Sequence, residues 1–317
     1  MDRVRGDTKN NIVSIEKQTK LYGLIRWAIK MDKEKRMNKR NKIIGLCICA
    51  VLLFGFTACG NSEKSSKGSQ EVLTYSNLAS KDSIDEVRTL LSAHLDKDSV
   101  ESFIKMVNEY NEIAGATGLK GEFTEFKAPQ YDVDKITTLW REKKGDFIGT
   151  NCRINSYTLL KKDIEIPPMD MDDQLLFLDK DAIGKGKLLD AKEKEQFKIL
   201  FSRVKTEATQ DIQIHAKNME EYFENFKFHE KVRMISVIIH DNLDGDFLFV
   251  GHVGVLVPDQ EGFLFVEKLS FEEPYQAIKF AAKKECYQYL QDKYADYTGE
   301  GLAKPFIMDN NKKVEVN

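Results

Sequence analysis

Two side chains in this sequence, Cys152 and His252, could carry out nucleophilic chemistry together. Cys152 lies in Gly-Thr-Asn-Cys-Arg-Ile-Asn, at the predicted start of a helix. Backbone N–H groups and the helix dipole at such a position stabilise a thiolate and lower its pKa. His252 lies in Val-Gly-His-Val-Gly on an otherwise apolar segment, and glycines inside a strand leave open space above the sheet. Cys152 is therefore a candidate nucleophile, and His252 is its candidate general base.

Glu267, in Phe-Val-Glu-Lys on the next predicted strand, is the candidate residue that orients the histidine. If residues 258–261 form a four-residue hairpin loop, His252 faces Glu267 directly across the two strands. A carboxylate in that place would fix the tautomer of the imidazole and stabilise its cationic form. The backbone N–H of Cys152, helped by Asn151, would hold the oxyanion of an acyl-transfer reaction.

Each of these residues also has a purely structural interpretation. Cys152 could form a disulfide with Cys286, or it could be a small buried side chain. His252 could be a strand histidine that is satisfied by one hydrogen bond, and Glu267 could pair with solvent or a neighbouring lysine. The other histidines are scattered along the chain without the spacing of a zinc protease helix, so we expect neither a metal site nor a cofactor.

The N-terminal part of the chain is typical of an export signal. Three basic residues at positions 39–42 precede an uncharged stretch of 16 residues, 43–58, which is short for a bilayer span. Phe-Thr-Ala-Cys at 56–59 resembles the lipobox of bacterial lipoproteins, which implies a diacylglyceryl group on Cys59 and anchoring in the lipid bilayer. An uncleaved anchor helix is the alternative. Both interpretations place the rest of the chain on the extracellular side of the cell membrane.

Composition bounds the remaining possibilities. With 42% hydrophobic and 31% charged residues, the 317-residue chain is neither disordered nor fibrous, nor a polytopic membrane protein. Residues 1–58 hold 13 of the 48 Lys and Arg but only 5 of the 51 Asp and Glu, so 35 basic and 46 acidic residues follow them. Residues 59–317 therefore have a net charge of -11, which repels phosphate backbones and argues against a nucleic-acid partner.

Three regions follow from these patterns. Residues 1–58 are an upstream extension and a lipoprotein signal peptide, with Met37 as the suspected true start, and residues 59–72 are a flexible tether rich in Gly, Ser and Lys. Residues 73–317 form a single domain with a helical part, 73–145, and a second part, 146–317.

The hydrophobic pattern of this domain predicts an α+β fold, with N-terminal helices followed by an antiparallel sheet meander. Helices are predicted over residues 83–95, 99–113, 133–143, 151–161, 191–205, 212–226 and 274–294. Strands are predicted over residues 232–239, 247–257 and 262–269, and residues 169–188 are expected to be irregular.

A Cys at a helix start, a His on a later strand and a polar residue on the next strand resemble papain-like thiol hydrolases. His-Val-Gly-Val at 252–255 resembles the strand of their cell-wall amidase and endopeptidase branch. This resemblance covers roughly residues 145–290, and it implies a papain-like fold, hydrolysis of peptide or amide bonds in peptidoglycan, and catalytic roles for Cys152, His252 and Glu267.

A second hypothesis is a non-catalytic surface lipoprotein that binds a ligand or protein partner through the same cleft. The chain lacks an Asp-Cys-Ser signature at the nucleophile and the usual upstream oxyanion Gln, and both absences favour this hypothesis.

As a whole, the exported part resembles an uncharacterised Gram-positive lipoprotein family, domain of unknown function 4300. The resemblance is carried by the lipoprotein signal, Tyr-Ser-Asn-Leu at 75–78, Asn-Cys-Arg at 151–153 and the Gly-His-Val-Gly strand. It implies no biochemical activity.

Overall fold

The structure, a computed structural model, describes residues 73–231 and 233–316. The predicted signal peptide, the lipidation site Cys59 and the tether lie outside the described residues. The helices are α1 (Lys81–Ser92), α2 (Lys97–Ala114), α3 (Val133–Lys144), α4 (Cys152–Leu160), α5 (Phe177–Gly186), α6 (Ala191–Leu200), α7 (Ile212–Phe223) and α8 (Lys283–Tyr294). The strands are β1 (Thr74–Ser76), β2 (Thr124–Glu125), β3 (Ile164–Glu165), β4 (Val204–Lys205), β5 (Lys227–Phe228), β6 (Arg233–Asp241), β7 (Phe247–Asp259), β8 (Gly262–Lys268), β9 (Tyr275–Phe280), β10 (Phe306–Asp309) and β11 (Lys312–Lys313).

The predicted α+β architecture is confirmed for the described residues. β6 to β9 form an antiparallel meander at the centre of a nine-stranded sheet with the order β11-β10-β6-β7-β8-β9-β1-β2, and β4 pairs with β7. α1 and α2 are the first two predicted helices, and they contact each other as a helical hairpin. Each helix begins at a capping side chain, since Ser80 and Asp96 each accept a hydrogen bond from the backbone N–H three residues later.

The two faces of the sheet are covered by different elements. The larger hydrophobic core contains Val87 of α1, Phe103 of α2, Tyr157 of α4 and Val253 of β7. The smaller core lies on the other face, where α8 covers the central strands and buries Cys286, Leu290 and Tyr294, with Leu256 of β7 among them. A side chain on β7 or β8 therefore belongs to the α4 face or to the α8 face according to its parity along the strand.

A β-bulge changes this parity in β7. Val237 of β6 pairs with His252, but the next residue, Ile238, pairs with Val250, so Gly251 is the extra residue. Val250 and Val253 consequently both point to the α4 face, while His252 points to the α8 face. The bulge thus turns one polar side chain toward α8 in an otherwise apolar strand.

The expected helix over residues 274–294 is wrong in its first part. Residues 275–280 form β9, which pairs with both β8 and β1. Because both faces of β9 are covered, Tyr275, Gln276, Ala277 and Ile278 are all buried, and the polar–apolar alternation that marks a half-exposed strand is lost. The expectation of irregular structure over residues 169–188 also missed α5, whose last turn contains two glycines that lower helix propensity.

Candidate active site

Cys152 is the first residue of α4, as the sequence pattern predicts. The Asn151 side chain caps the helix by accepting a hydrogen bond of 3.0 Å from the backbone N–H of Ile154. All nine residues of α4 are buried, so this helix is surrounded by protein on every side. The thiol therefore lies at the positive end of a buried helix dipole.

The start of α4 is held by a buried ion pair that the sequence analysis missed. Arg153 donates to the carboxylate of Asp179 at 3.0 Å (Nε to Oδ1) and 2.7 Å (Nη2 to Oδ2), and it also donates to the carbonyl of Val250 at 3.1 Å. The Asn151 amide nitrogen donates to the same Asp179 carboxylate at 2.7 Å. These bonds fix the residues on either side of Cys152 to α5 and to β7.

A second set of hydrogen bonds ties α4 to β9. The Tyr275 hydroxyl donates to the Asn155 side-chain oxygen at 2.9 Å, and the Asn155 amide nitrogen donates to the Thr150 hydroxyl at 2.9 Å and to the Asn151 carbonyl at 2.8 Å. Asn151 is therefore engaged as a helix cap and as a donor to Asp179, and its contribution to an oxyanion site stays a prediction.

The hairpin between β7 and β8 has a two-residue loop, since Asp259 pairs with Gly262, and not the predicted four-residue loop. Continuing this register past the Val255–Val266 pair sets Gly254 opposite Glu267. The prediction that His252 faces Glu267 directly is wrong by two residues. Because the difference is even, the two side chains still share one face, where diagonal neighbours are within reach of long side chains.

His252 and Glu267 form a hydrogen bond of 2.5 Å between Nε2 and Oε2. Both side chains are buried, with 1% and 2% of their surface exposed. This bond occupies Nε2 of the imidazole and leaves Nδ1 available to a second partner.

The Cys152 thiol and the His252 imidazole adjoin each other and interact electrostatically. Burial disfavours the charged form of both groups, but the interaction with His252 outweighs burial and lowers the pKa of Cys152. The charges of Cys152 and Glu267 likewise outweigh burial and raise the pKa of His252. Opposite shifts of this kind favour a thiolate–imidazolium pair.

Two side chains from α8 complete the surroundings of Glu267. The Tyr289 hydroxyl donates to Oε1 at 2.5 Å, and the Lys293 ammonium lies 3.1 Å from Oε1 and 3.3 Å from Oε2. Burial alone would raise the pKa of Glu267, but Lys293, His252 and Tyr289 together lower it to about 2. Glu267 is therefore an ionised carboxylate at neutral pH.

The third α8 side chain at the site, Tyr294, stacks on the His252 ring with centroids 5.1 Å apart and an interplanar angle of 25°. The ring of Tyr294 is itself buried, with 8% of its surface exposed. It holds the imidazole in the plane that the Glu267 hydrogen bond requires.

Lys268, the residue after Glu267, is also buried and was not singled out from the sequence. Its ammonium donates to the carbonyls of Ser270 at 2.8 Å and Phe271 at 3.3 Å, and to that of Glu273. Burial lowers the pKa of Lys268 to about 7, against the opposing influence of nearby acidic groups that include Cys152. The side chain fastens the loop between β8 and β9 beside the candidate nucleophile.

The disulfide alternative is wrong, because Cys152 and Cys286 are both free thiols. Cys286 lies on the buried face of α8, and burial raises its pKa well above the ordinary value. The two thiols therefore differ sharply in acidity, and only Cys152 has a histidine partner.

Two further histidines, His215 and His240, come together away from this site, with ring centroids 4.5 Å apart. His215 is held by Thr206 and by the Thr209 carbonyl, and His240 by Asp246 and the backbone N–H of Ala303. Within residues 73–231 and 233–316, no group of three or more His, Cys, Asp or Glu side chains could hold a metal ion.

Gly254 lets the two site strands approach each other, and Gly254→Ala is expected to lower the free energy of unfolding by about 2 kcal/mol. A Cβ at this position would lie 2.2 Å from Cζ of Phe265 and 2.8 Å from the carbonyl oxygen of Val266. Urea unfolding measures the loss. Gly184→Ala is the matched control, because a Cβ there meets nothing within 4 Å. Equal unfolding free energies for the Gly254→Ala variant and the unsubstituted chain would contradict the expected clash.

In the part of the chain that the structure describes, no helix is long and apolar enough to cross a membrane. A search of the curated proteins found no match, and a search of the solved structures found none either. The sequence model of one family, described as a domain of unknown function (DUF4300), matches residues 74–314. That range takes in the helical hairpin, the whole central sheet and every residue of the candidate site, and the chain therefore belongs to the DUF4300 family.

Proposed function

We propose that this protein is a cysteine-dependent hydrolase of amide or peptide bonds that acts outside the cytoplasm and is anchored to the membrane through Cys59. The observation that carries the proposal is the chain of contacts from Cys152 to His252 and from His252 to Glu267, with the thiol at the start of a buried helix. A nucleophile, a base and a group that orients the base are the three parts that thiol acyl transfer needs.

In this proposal the Cys152 thiolate attacks the carbonyl carbon of the scissile amide, and the electron pair of the carbonyl moves onto oxygen. The imidazolium of His252 then gives its proton to the leaving amine as the C–N bond breaks, which leaves a thioester on Cys152. His252, now neutral, takes a proton from water while the water oxygen attacks the thioester. The C–S bond breaks, the acid leaves, and the thiolate–imidazolium pair is restored.

The other side chains have supporting roles. Glu267 would stabilise the imidazolium and hold its ring, since it binds Nε2 and leaves Nδ1 for the thiol. The backbone N–H of Cys152 at the first turn of α4 would donate to the oxyanion, with Asn151 as a second contributor. Tyr294 would keep the ring of His252 from turning away.

The cell envelope is the substrate that best fits a hydrolase at this location. A short Gly- and Ser-rich segment would hold the domain near the extracellular face of the cell membrane, where the cell wall is within its reach. The His-Val-Gly-Val strand also resembles that of wall amidases and endopeptidases. The experiment is incubation of the purified protein with isolated Gram-positive sacculi between pH 5 and 8, followed by mass spectrometry of released fragments and detection of new amino groups. A soluble fraction identical to that of a buffer blank would contradict the proposal.

A second candidate function is non-catalytic binding of a ligand or protein partner, and the burial of the site favours it over hydrolysis because a substrate carbonyl has little room to reach the thiol. Cys152 is 6% exposed, and the cavity beside the preceding residues Gly149 and Thr150 has about 20 Å³ of free volume, room for about one water molecule. Reaction of Cys152 with iodoacetamide separates the two candidates. A binding protein would show the rate of an ordinary thiol at pH 7, and a hydrolase would show a faster rate that depends on His252.

Lipid anchoring makes a separate prediction. In a Gram-positive host, Cys59→Ala is expected to abolish incorporation of an alkyne-tagged fatty acid into the protein, because that thiol is the proposed acceptor. Cys47→Ala, which changes a cysteine inside the apolar stretch of the signal, is the matched control and should keep the label. Retention of the label by the Cys59→Ala protein would mean that the lipobox interpretation is wrong. The readout is in-gel fluorescence after coupling of the tag.

A further inference from the structure

One face of α8 supplies two side chains that contact Glu267 in the candidate site. Tyr289 and Lys293 are four residues apart and so lie on one side of the helix, where the Lys293 ammonium also donates to the Tyr289 hydroxyl at 2.8 Å. Both contact Oε1 of Glu267, and Tyr289 also donates to the side-chain oxygen of Gln276 at 3.3 Å. The Glu267 carboxylate is therefore hydrogen-bonded to a hydroxyl and an ammonium of the helix, in addition to the imidazole.

The charges along this line of contacts alternate in sign. A thiolate on Cys152 adjoins an imidazolium on His252, which adjoins the carboxylate of Glu267, which adjoins the ammonium of Lys293. The first three groups are buried, while 28% of the Lys293 side chain is exposed. A charge buried without a partner is strongly disfavoured, and a sequence of opposite charges that ends at the surface avoids that condition.

Without its partners on α8, Glu267 would tend to lose its negative charge. Its side chain has no exposed surface, so burial favours the neutral acid, and a neutral acid would give the imidazolium a hydrogen bond but no opposite charge. The charge of Lys293 is the largest influence that favours the ionised form of Glu267.

We propose that Tyr289 and Lys293 are positioning residues, which hold Glu267 ionised and in place so that it can support the imidazolium of His252. This role rests on the proposed function, because the charge of Glu267 matters to chemistry only if Cys152 reacts as a thiolate. The helix that follows the meander, and not the sheet, thus completes the site.

Other charged or titratable groups surround the same line of contacts. They come from α4, α5, β8, the loop after β8, α8, the segment after α8 and the segment that precedes α3. They are Arg153, Asp179, Lys268, Glu273, Cys286, Tyr294, Tyr297 and Tyr131. Glu267 itself forms ion pairs with His252 and Lys293. A substitution at Lys293 therefore changes the charge at Glu267 without touching the thiol.

The test measures the rate at which iodoacetamide alkylates Cys152 in the purified full chain, between pH 4.5 and 9. Mass spectrometry of the peptide that contains Cys152 keeps this rate separate from the other cysteines. The variants are Lys293→Met, which keeps the length of the side chain but removes its charge, and Tyr289→Phe, which removes one oxygen atom. Lys284→Met changes an exposed lysine on the same helix and is the matched control. Lys293→Arg tests rescue by a second cation.

In the unsubstituted chain we expect alkylation to stay fast down to acidic pH. In Lys293→Met burial should raise the pKa of Glu267 by several units, since the largest influence that opposes burial is gone. The rate at pH 5.5 should then fall about tenfold, the loss expected where the pKa of the carboxyl group lies about one unit above the pH. At pH 8 the same variant should stay within about twofold of the unsubstituted rate, since Glu267 is then ionised again. Lys293→Arg should restore the rate at pH 5.5, and Tyr289→Phe should lose part of it.

The outcomes separate this role from the function on which it rests. If the unsubstituted chain has a fast, acid-resistant rate and Lys293→Met follows the same pH profile as Lys284→Met, the positioning role is overturned while the hydrolase proposal stands. If the unsubstituted Cys152 has the pH profile of an ordinary thiol, the reactive pair and the positioning role both fail. Should Lys293→Met not fold, as judged by its circular dichroism, the profile of Tyr289→Phe decides in the same way.

Discussion

Cys152→Ala is expected to reduce the hydrolysis of Gram-positive sacculi by at least about 10⁴-fold, because removal of a nucleophile eliminates the covalent route altogether. The substitution removes the sulfur atom of a residue that is 6% exposed, and it leaves the cap of α4 in place. The melting temperature should therefore fall by no more than about 4 °C, the shift that about 1 kcal/mol produces in a domain of this size. Release of soluble wall fragments and differential scanning calorimetry measure the two effects.

His252→Ala should cause a loss of similar size, since residues that act as one unit do not contribute additively. Cys286→Ala is the matched control, because it also removes a buried thiol but one with no histidine partner, and it should keep its activity. Hydrolysis that survives in either Cys152→Ala or His252→Ala at the unsubstituted rate would eliminate the proposed mechanism.

Asp179→Ala should have the largest effect on stability, a loss of about 3–5 kcal/mol in the free energy of unfolding. The Asp179 side chain has no exposed surface, and its carboxylate accepts hydrogen bonds from Arg153 and Asn151. Its removal leaves the Arg153 guanidinium buried without the carboxylate that compensates its charge. Urea denaturation followed by circular dichroism measures the difference.

Asp181→Ala is the control for this substitution, because Asp181 lies two residues further along α5 and forms an exposed pair with Lys185. It should change the free energy of unfolding by no more than about 0.5 kcal/mol. If Asp179→Ala were as mild as Asp181→Ala, the buried pair would not be what holds the start of α4. A chain with the Asp179 substitution that still folds should also lose reactivity at Cys152, since Arg153 and Asn151 flank the thiol.

The elements of the site could be predicted from the sequence because local signals specify them. Asn151 before Cys152 is N-cap chemistry, and the long apolar runs of β7 and β8 are strong strand signals. Side chains on a strand alternate between the two faces, so a register that is shifted by two residues keeps His252 and Glu267 on one face. The error of two residues in the predicted pairing of β7 with β8 therefore did not separate them.

The residues that the sequence analysis missed depend on long-range burial, which leaves no local pattern. Lys293 looks like any exposed helix lysine, and only the packing of α8 on the sheet brings it to Glu267, 26 residues away in sequence. Arg153 and Asp179 are likewise ordinary charged residues until both are buried. β10 and β11 were missed because both are short, and because β10 joins the sheet by pairing with β6, which lies far earlier in the sequence.

The bulge at Gly251 also governs which length changes β7 could undergo in other members of the family. Deleting this one residue would make the ladder with β6 regular and would keep the Ile238–Val250 and Val237–His252 pairs, so Val250 and His252 would stay on their present faces. A deletion of one residue elsewhere in β7, with the bulge kept, would move the residues on one side of it to the opposite face of the sheet. Gly251 is therefore the position at which β7 can lose a single residue and still present His252 to Glu267 and Tyr294.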